Sequence, residues 1–190
     1  METTGAVCDF DKDGPVRTTR FTPMQGTARL NVDDPNRIEL NINSDPTNLA
    51  AARTTVEQFA QSQGGFDDKA VNEIGLVVNE ALANVMRHAY RGATDQPIRI
   101  TAALDGAAAT TATTTATRTA PGEVAVTIQI RDWGTGANPQ ARLEHIAPDP
   151  NKPGGLGLVC MRELMDDVQF HPQPDGMLLT MIKRRRTTER

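Results

Sequence analysis

Glu80 and Asn84 stand four residues apart in Asn79-Glu80-Ala81-Leu82-Ala83-Asn84, so on a helix a carboxylate and a carboxamide leave from the same side. Further along, Arg131-Asp132-Trp133-Gly134-Thr135-Gly136 sets a carboxylate just before two glycines separated by one residue. That order suits a backbone turning tightly beside a ligand, and the Asp132 carboxylate can accept hydrogen bonds from an exocyclic amine such as that of adenine. A third stretch, Gly154-Gly155-Leu156-Gly157-Leu158, places glycines at the opening of a helical run. Free backbone N–H groups and the positive dipole end there form a site for a di- or triphosphate. Singly, each stretch has a plainer reading: a solvated helix face, an Asp-x-Gly loop, a helix start with glycines for packing.

The elements that must position these residues can be read from periodicity. Val71, Ile74, Val78, Leu82, Val85 and Ala89 fall on one stripe of a helix running from Asp67 or Asp68 to Tyr90, roughly opposite Glu80 and Asn84. Gly75 inside it costs about 1 kcal/mol relative to Ala, so tertiary packing must sustain the helix. Before it, Ile38, Leu40 and Ile42 alternate as a half-buried strand. Ser44 or Asp45 then caps a helix with Pro46 at its first position and Leu49, Ala52, Val56, Phe59 and Ala60 on its apolar face, ended by Gly64-Gly65. Ile98, Ile100 and Ala102 alternate as a strand, and Val124, Val126, Ile128 and Ile130 as its antiparallel partner, leading straight into Asp132. After the helix opened by the third glycine stretch, Val168 to Phe170 and Met177 to Ile182 predict a hairpin around Pro174-Asp175-Gly176.

The remaining segments carry little periodicity. Residues 1–35, rich in Thr, Gly, Pro and Asp, read as a disordered arm before a domain over 36–186 and a short tail over 187–190. Ala107 to Ala120 is almost all Ala and Thr, a low-complexity loop inserted in a hairpin. The proline-bearing segment from Ala137 to Pro153 suits a lid; Lys152 within it can reach a phosphate, while Arg142 reads as a surface cation. The Lys183-Arg184-Arg185-Arg186 run reads as a solvated tail.

Composition bounds the class. With 190 residues, one domain with tails is expected, and with 38% hydrophobic but 4% aromatic residues its core must be built from Val, Ile, Leu, Ala and Met. No apolar run approaches the ~18 residues needed to span a membrane. Met1 to Asp13 carry acids and no apolar core of a secretory signal. Cys8 and Cys160 make neither a disulfide framework nor a metal motif, with Cys160 expected in the core, and His88, His145 and His171 do not cluster. A cytoplasmic protein without a metal cage follows as the expectation. A net charge of −4 argues against general nucleic-acid binding.

Taken in order, E-x-x-x-N on a long helix, D-x-G-x-G at a strand end and G-G-L-G-L at a helix start resemble the N, G1 and G2 boxes of the GHKL ATPases. That superfamily takes in gyrase, the heat-shock 90 chaperones, histidine kinases and the mismatch-repair protein MutL. The wording of Asn79 to Tyr90, and of Gly154 to Val168 with its Met161-Arg162-Glu163-Leu164-Met165-Asp166-Asp167-Val168 ending, is similar to the anti-sigma-factor serine kinases of bacterial partner-switching pathways. The resemblance covers roughly residues 37–184. The Ala/Thr insert, the longer arm and a lid without an obvious phosphate-contacting arginine depart from it.

The resemblance implies an α+β fold, a two-layer sandwich of the Bergerat type with a mixed, mainly antiparallel sheet and helices on one face. It implies ATP and Mg²⁺ as cofactors. Asn84 would coordinate Mg²⁺ through its side-chain oxygen, with phosphates and water completing the shell. Glu80 would be the general base toward a serine hydroxyl of a STAS-domain anti-anti-sigma protein. Asp132 would bind the adenine amine, with Gly134 and Gly136 shaping that wall. Lys152, Gly154, Gly155, Leu156, Gly157 and Leu158 would hold the phosphates, and Thr180 on the last strand would approach adenine. A sigma factor would be sequestered by a separate surface, and a homodimer is expected. A non-catalytic ATP-binding regulator acting by protein binding is the alternative. The catalytic domain of a histidine kinase is disfavoured, since no helical segment with an acceptor His precedes the domain.

Overall fold

The computed structural model describes residues 27–30, 34, 36–105, 124–135 and 156–185, with residues 27–30 and 156 described by their backbone. Its strands are β1 (Thr27–Leu30), β2 (Arg37–Asn43), β3 (Pro97–Asp105), β4 (Ala125–Asp132), β5 (Asp167–Gln173) and β6 (Gly176–Arg184). They form one sheet in the order β1-β2-β3-β4-β6-β5, and every pairing is antiparallel, the dominant arrangement expected. The alternation read from the sequence is the alternation of burial: Ile38, Leu40, Ile98, Ile100, Ala102, Val126, Ile128 and Ile130 all turn into the core.

Thr27–Leu30 corrects one expectation. This part of the presumed disordered arm pairs Thr27 with Asn41 and Leu30 with Ile38 as an edge strand, a position that backbone pairing can hold with little apolar patterning. The rest of the arm, the Ala/Thr insert over 107–120 and the 187–190 tail lie outside the described residues.

The helices cover one face of the sheet. A 3₁₀ turn over Pro46–Asn48 leads into α1 (Leu49–Ser62), and Asp45 caps the turn, its Oδ1 accepting the Thr47 N–H at 2.9 Å. α2 (Asp68–Asn84) begins on Asp67, whose carboxylate accepts the Ala70 N–H at 2.8 Å. Its stripe of Val71, Ile74, Val78 and Leu82 is buried as expected, widened by Val77 and Ala81. Each large side chain so buried is worth about 1.5–3 kcal/mol, ample against the glycine at position 75, over which Glu57 of α1 packs. The expected helix through Tyr90 changes character after Asn84. Val85–Ala89 form a π turn, closed where the Tyr90 N–H reaches back to Val85 O at 3.0 Å. α3 (Leu156–Leu164) packs on the other flank of α2 from α1.

Two more expectations are corrected at the end of the chain. Lys183 and Arg185 are not solvated: Lys183 Nζ donates to Leu164 O at 2.6 Å and pairs with Glu73 Oε2 at 2.5 Å, and Arg185 Nη1 donates to Gly64 O at 3.1 Å. Alternate residues of β6 turn toward the helices, where the carbonyl ends of α3 and α1 attract cations. Cys160, expected in the core, is half-buried. No described helix is long and apolar enough to cross a membrane.

Candidate active site

The burial of one side of α2 fixes where its other side points. Glu80 and Asn84 are half-buried on the last two turns of α2, and α3 begins directly against them. A methyl group built on Gly157 would lie 2.7 Å from Glu80 Oε2 and 3.6 Å from Asn84 Nδ2. Any side chain at this position would occupy the space beside the carboxylate and the carboxamide, so the glycine is what lets the first turn of α3 approach them. The structure thus brings together the N-box pair and the glycine-opened helix, residues more than seventy positions apart in sequence.

Asp132 ends β4 on the side of the sheet that faces the helices, paired with Met177 of β6. It is only 5% exposed. Its Oδ1 accepts the Gly134 N–H at 2.9 Å. Burial pushes the carboxyl above the ordinary aspartate value, against the pull of the Gly134 N–H, the Arg131 charge and the Met177 N–H. Gly134 is forced by a close approach of its own: a methyl there would sit 2.6 Å from Ala89 O on the π turn. The turn after β4 therefore lies directly on the end of the helix that carries Glu80 and Asn84.

Other expected residues fall elsewhere. Thr180 pairs with Gln129, on the face of the sheet turned away from the helices, whereas Asp132 and Met177 face them. The expected approach of Thr180 to the base is corrected by strand alternation: Thr180 stands an odd number of residues from Met177 and so points to the opposite face. Leu158 is half-buried on α3 and packs against the core, and Leu156 opens that helix. Gly136, Lys152, Gly154 and Gly155 lie outside the described residues, as does Arg142. His88 is exposed on the π turn.

Sequence reasoning assigned no role to the aromatic pair that joins these pieces. Tyr90, 8% exposed, donates its hydroxyl proton to Pro97 O at 2.5 Å and accepts the Trp133 N–H at 2.8 Å. Burial pushes the phenol up, and the Trp133 N–H draws it part of the way back. The Trp133 ring lies under the guanidinium of Arg131, 4.8 Å from it, and within 5.7 Å of that of Arg99. Arg131 also pairs with the Asp175 carboxylate, tying the end of β4 to the β5–β6 turn. The signal was available: these are the one tyrosine and the one tryptophan of an aromatic-poor chain, each inside a singled-out stretch.

A carboxylate and a carboxamide on one helix, a glycine-bearing helix start against them and a buried aspartate at the strand end whose turn lies on the same helix are thus gathered around the C-terminal end of α2. Residues 42–183 match the histidine kinase-like ATPase domain family. The chain is similar to serine-protein kinase RsbW of Listeria monocytogenes, 25% identical over 154 residues that cover 77% of this chain and 86% of the relative. It is similar to anti-sigma F factor of Halalkalibacterium halodurans, 28% identical over 143 residues covering 73% and 85%. RsbW of Bacillus pumilus is 27% identical over 153 residues, covering 77% and 84%. The match runs from the end of β2 to Lys183 in β6 and takes in Glu80, Asn84, Asp132, Gly134 and Gly157, and on that ground the chain belongs to the histidine kinase-like ATPase domain family.

Proposed function

We propose that this protein is an ATP-dependent serine kinase that phosphorylates a STAS-domain anti-anti-sigma protein and sequesters a sigma factor through a separate surface, acting as a homodimer in the cytoplasm. The observation that carries the reading is the meeting of Glu80, Asn84 and Gly157 at one point, in a chain whose relatives are named serine-protein kinase and anti-sigma factor.

The donors suit Mg²⁺ and a nucleotide. The Asn84 carboxamide offers a hard oxygen, the donor type that Mg²⁺ takes, and its amide end stands beside the first turn of α3. Mg²⁺, when bound, neutralises charge on the phosphates, and phosphoryl transfer needs little from the protein beyond positioning and charge stabilisation. Within that frame Asn84 would hold the metal, and the Glu80 carboxylate would take the proton of the attacking serine hydroxyl. Amides at the start of α3, with Gly154, Gly155 and Lys152 before it, hold the phosphates. Asp132 accepts the adenine amine, against a wall shaped by Gly134 and Gly136.

The test is transfer of labelled γ-phosphate from ATP to purified STAS-domain proteins of the source organism, by wild type and Glu80→Ala. Transfer to one serine by wild type, lost in Glu80→Ala with ATP binding kept, supports the kinase. Absence of transfer by wild type, with partner binding still nucleotide-dependent, overturns it in favour of a non-catalytic regulator.

A further inference from the structure

The Tyr90 hydroxyl is a joint between three elements. It leaves the end of the π turn, donates to Pro97 O where β3 begins, and accepts the Trp133 N–H just past the end of β4. Trp133 is also the residue between Asp132, which would meet the base, and Gly134, whose N–H fixes the Asp132 carboxylate. The same short turn is pressed on Ala89 by Gly134 and held from the other face of the sheet by Arg131 and Arg99 against the indole. Remove the hydroxyl, and a part-buried N–H and a carbonyl lose their partner where the carboxylate is aimed.

We infer that Tyr90 is a positioning residue for base recognition: by fixing the Trp133–Gly134 turn it aims the Asp132 carboxylate, and so sets the preference for adenine over guanine. The inference rests on Asp132 as the base-binding group. A buried carboxylate accepts from the exocyclic amine of adenine and repels the exocyclic oxygen that guanine carries in its place, so discrimination depends on where the carboxylate points. On the proposed reading the phosphates and Mg²⁺ would be held by other elements, α2 and the start of α3, which the Tyr90 hydroxyl does not touch.

The experiment is equilibrium binding of ADP, GDP and inorganic tripolyphosphate to the full chain, for wild type, Tyr90→Phe and Asp132→Asn, with thermal melting to establish folding. Small displacements of an aligned group are costly, so Tyr90→Phe is expected to lower the ADP-to-GDP affinity ratio roughly tenfold and to leave tripolyphosphate binding unchanged. A merely structural tyrosine would weaken both nucleotides alike, and an unchanged ratio overturns the inference. Asp132→Asn separates the two layers of argument. A ratio that collapses in Asp132→Asn and stays at the wild-type value in Tyr90→Phe overturns the role of Tyr90 alone; a ratio unmoved by Asp132→Asn overturns the base-binding reading with it. Should Tyr90→Phe not fold, Gly134→Ala pushes the same turn off Ala89 and must lower the ratio; an unchanged ratio there is equally fatal.

Discussion

Gly157 of α3 lies so close to Glu80 of α2 that a methyl group on it would stand 2.7 Å from Oε2 of the carboxylate. Alanine is the better helix former, by up to about 1 kcal/mol in a helix interior and by less in the first turn where Gly157 stands, so on local grounds Gly157→Ala should not destabilise. The site demands the reverse, because either α3 or the Glu80 side chain must shift. The expected result for Gly157→Ala is a melting temperature within a few degrees of wild type and ATP affinity lowered at least roughly tenfold, about 1.4 kcal/mol. Calorimetric titration of the variant checks it, and wild-type affinity would show that α3 does not close over the nucleotide there.

Asp132 is expected to couple binding and stability to pH in opposite directions. Burial raises its folded pKa above the ordinary aspartate value of 3.8, so just above that pH the native state holds a proton that the unfolded chain has released. Stability of the free protein therefore falls as pH rises from 3.8 through the folded value, and levels off beyond it. With Asp132 as the proposed acceptor of the adenine amine, the ionised carboxylate is the better acceptor, and ATP affinity is expected to rise over the same window. Asp132→Asn is expected to flatten both profiles. Denaturant titrations and nucleotide binding across a pH series read them, and identical slopes in wild type and variant would contradict the assignment.

Lys183 ties three elements through one ammonium group, bonded to Glu73 of α2 and to the last carbonyl of α3. The Lys183 and Glu73 side chains are only 14% and 20% exposed. A hydrogen-bonded charge in such a place is worth about 1.5–3 kcal/mol, and Lys183→Met is expected to cost that much. In a double-mutant cycle with Glu73→Gln, the coupling should lie at roughly 0.5–3 kcal/mol. Additive losses in urea denaturation would mean that the pair carries no mutual energy.

What the sequence made legible was local. Alternation gave β2, β3 and β4, Ser44 or Asp45 and Asp67 or Asp68 marked the starts that Asp45 and Asp67 cap, and the glycine stretches marked close approaches. Glu80 and Asn84 could be placed together because four residues is one helical turn. Thr180 failed because its face depends on the register between β4 and β6, which no spacing within one strand reveals. Lys183 and Arg185 read as tail because the carbonyls they cap belong to Leu164 and to Gly64, the latter 121 residues away. The π turn has no local signature of its own; it appears where Tyr90 must reach both Pro97 and Trp133. Residues 136–155, which carry the rest of the expected phosphate contacts, lie outside the described structure.

Binding of Mg·ATP by isothermal titration calorimetry, to wild type and Asn84→Ala, bears on all of this at once. The prediction is one site in the micromolar range, roughly −8 kcal/mol, with the Mg²⁺-dependent part of the affinity lost in Asn84→Ala and Mg²⁺-free binding little changed. No heat of binding at millimolar ATP would contradict a nucleotide cleft on Glu80, Asn84 and Gly157, and would leave a fold used for protein recognition alone.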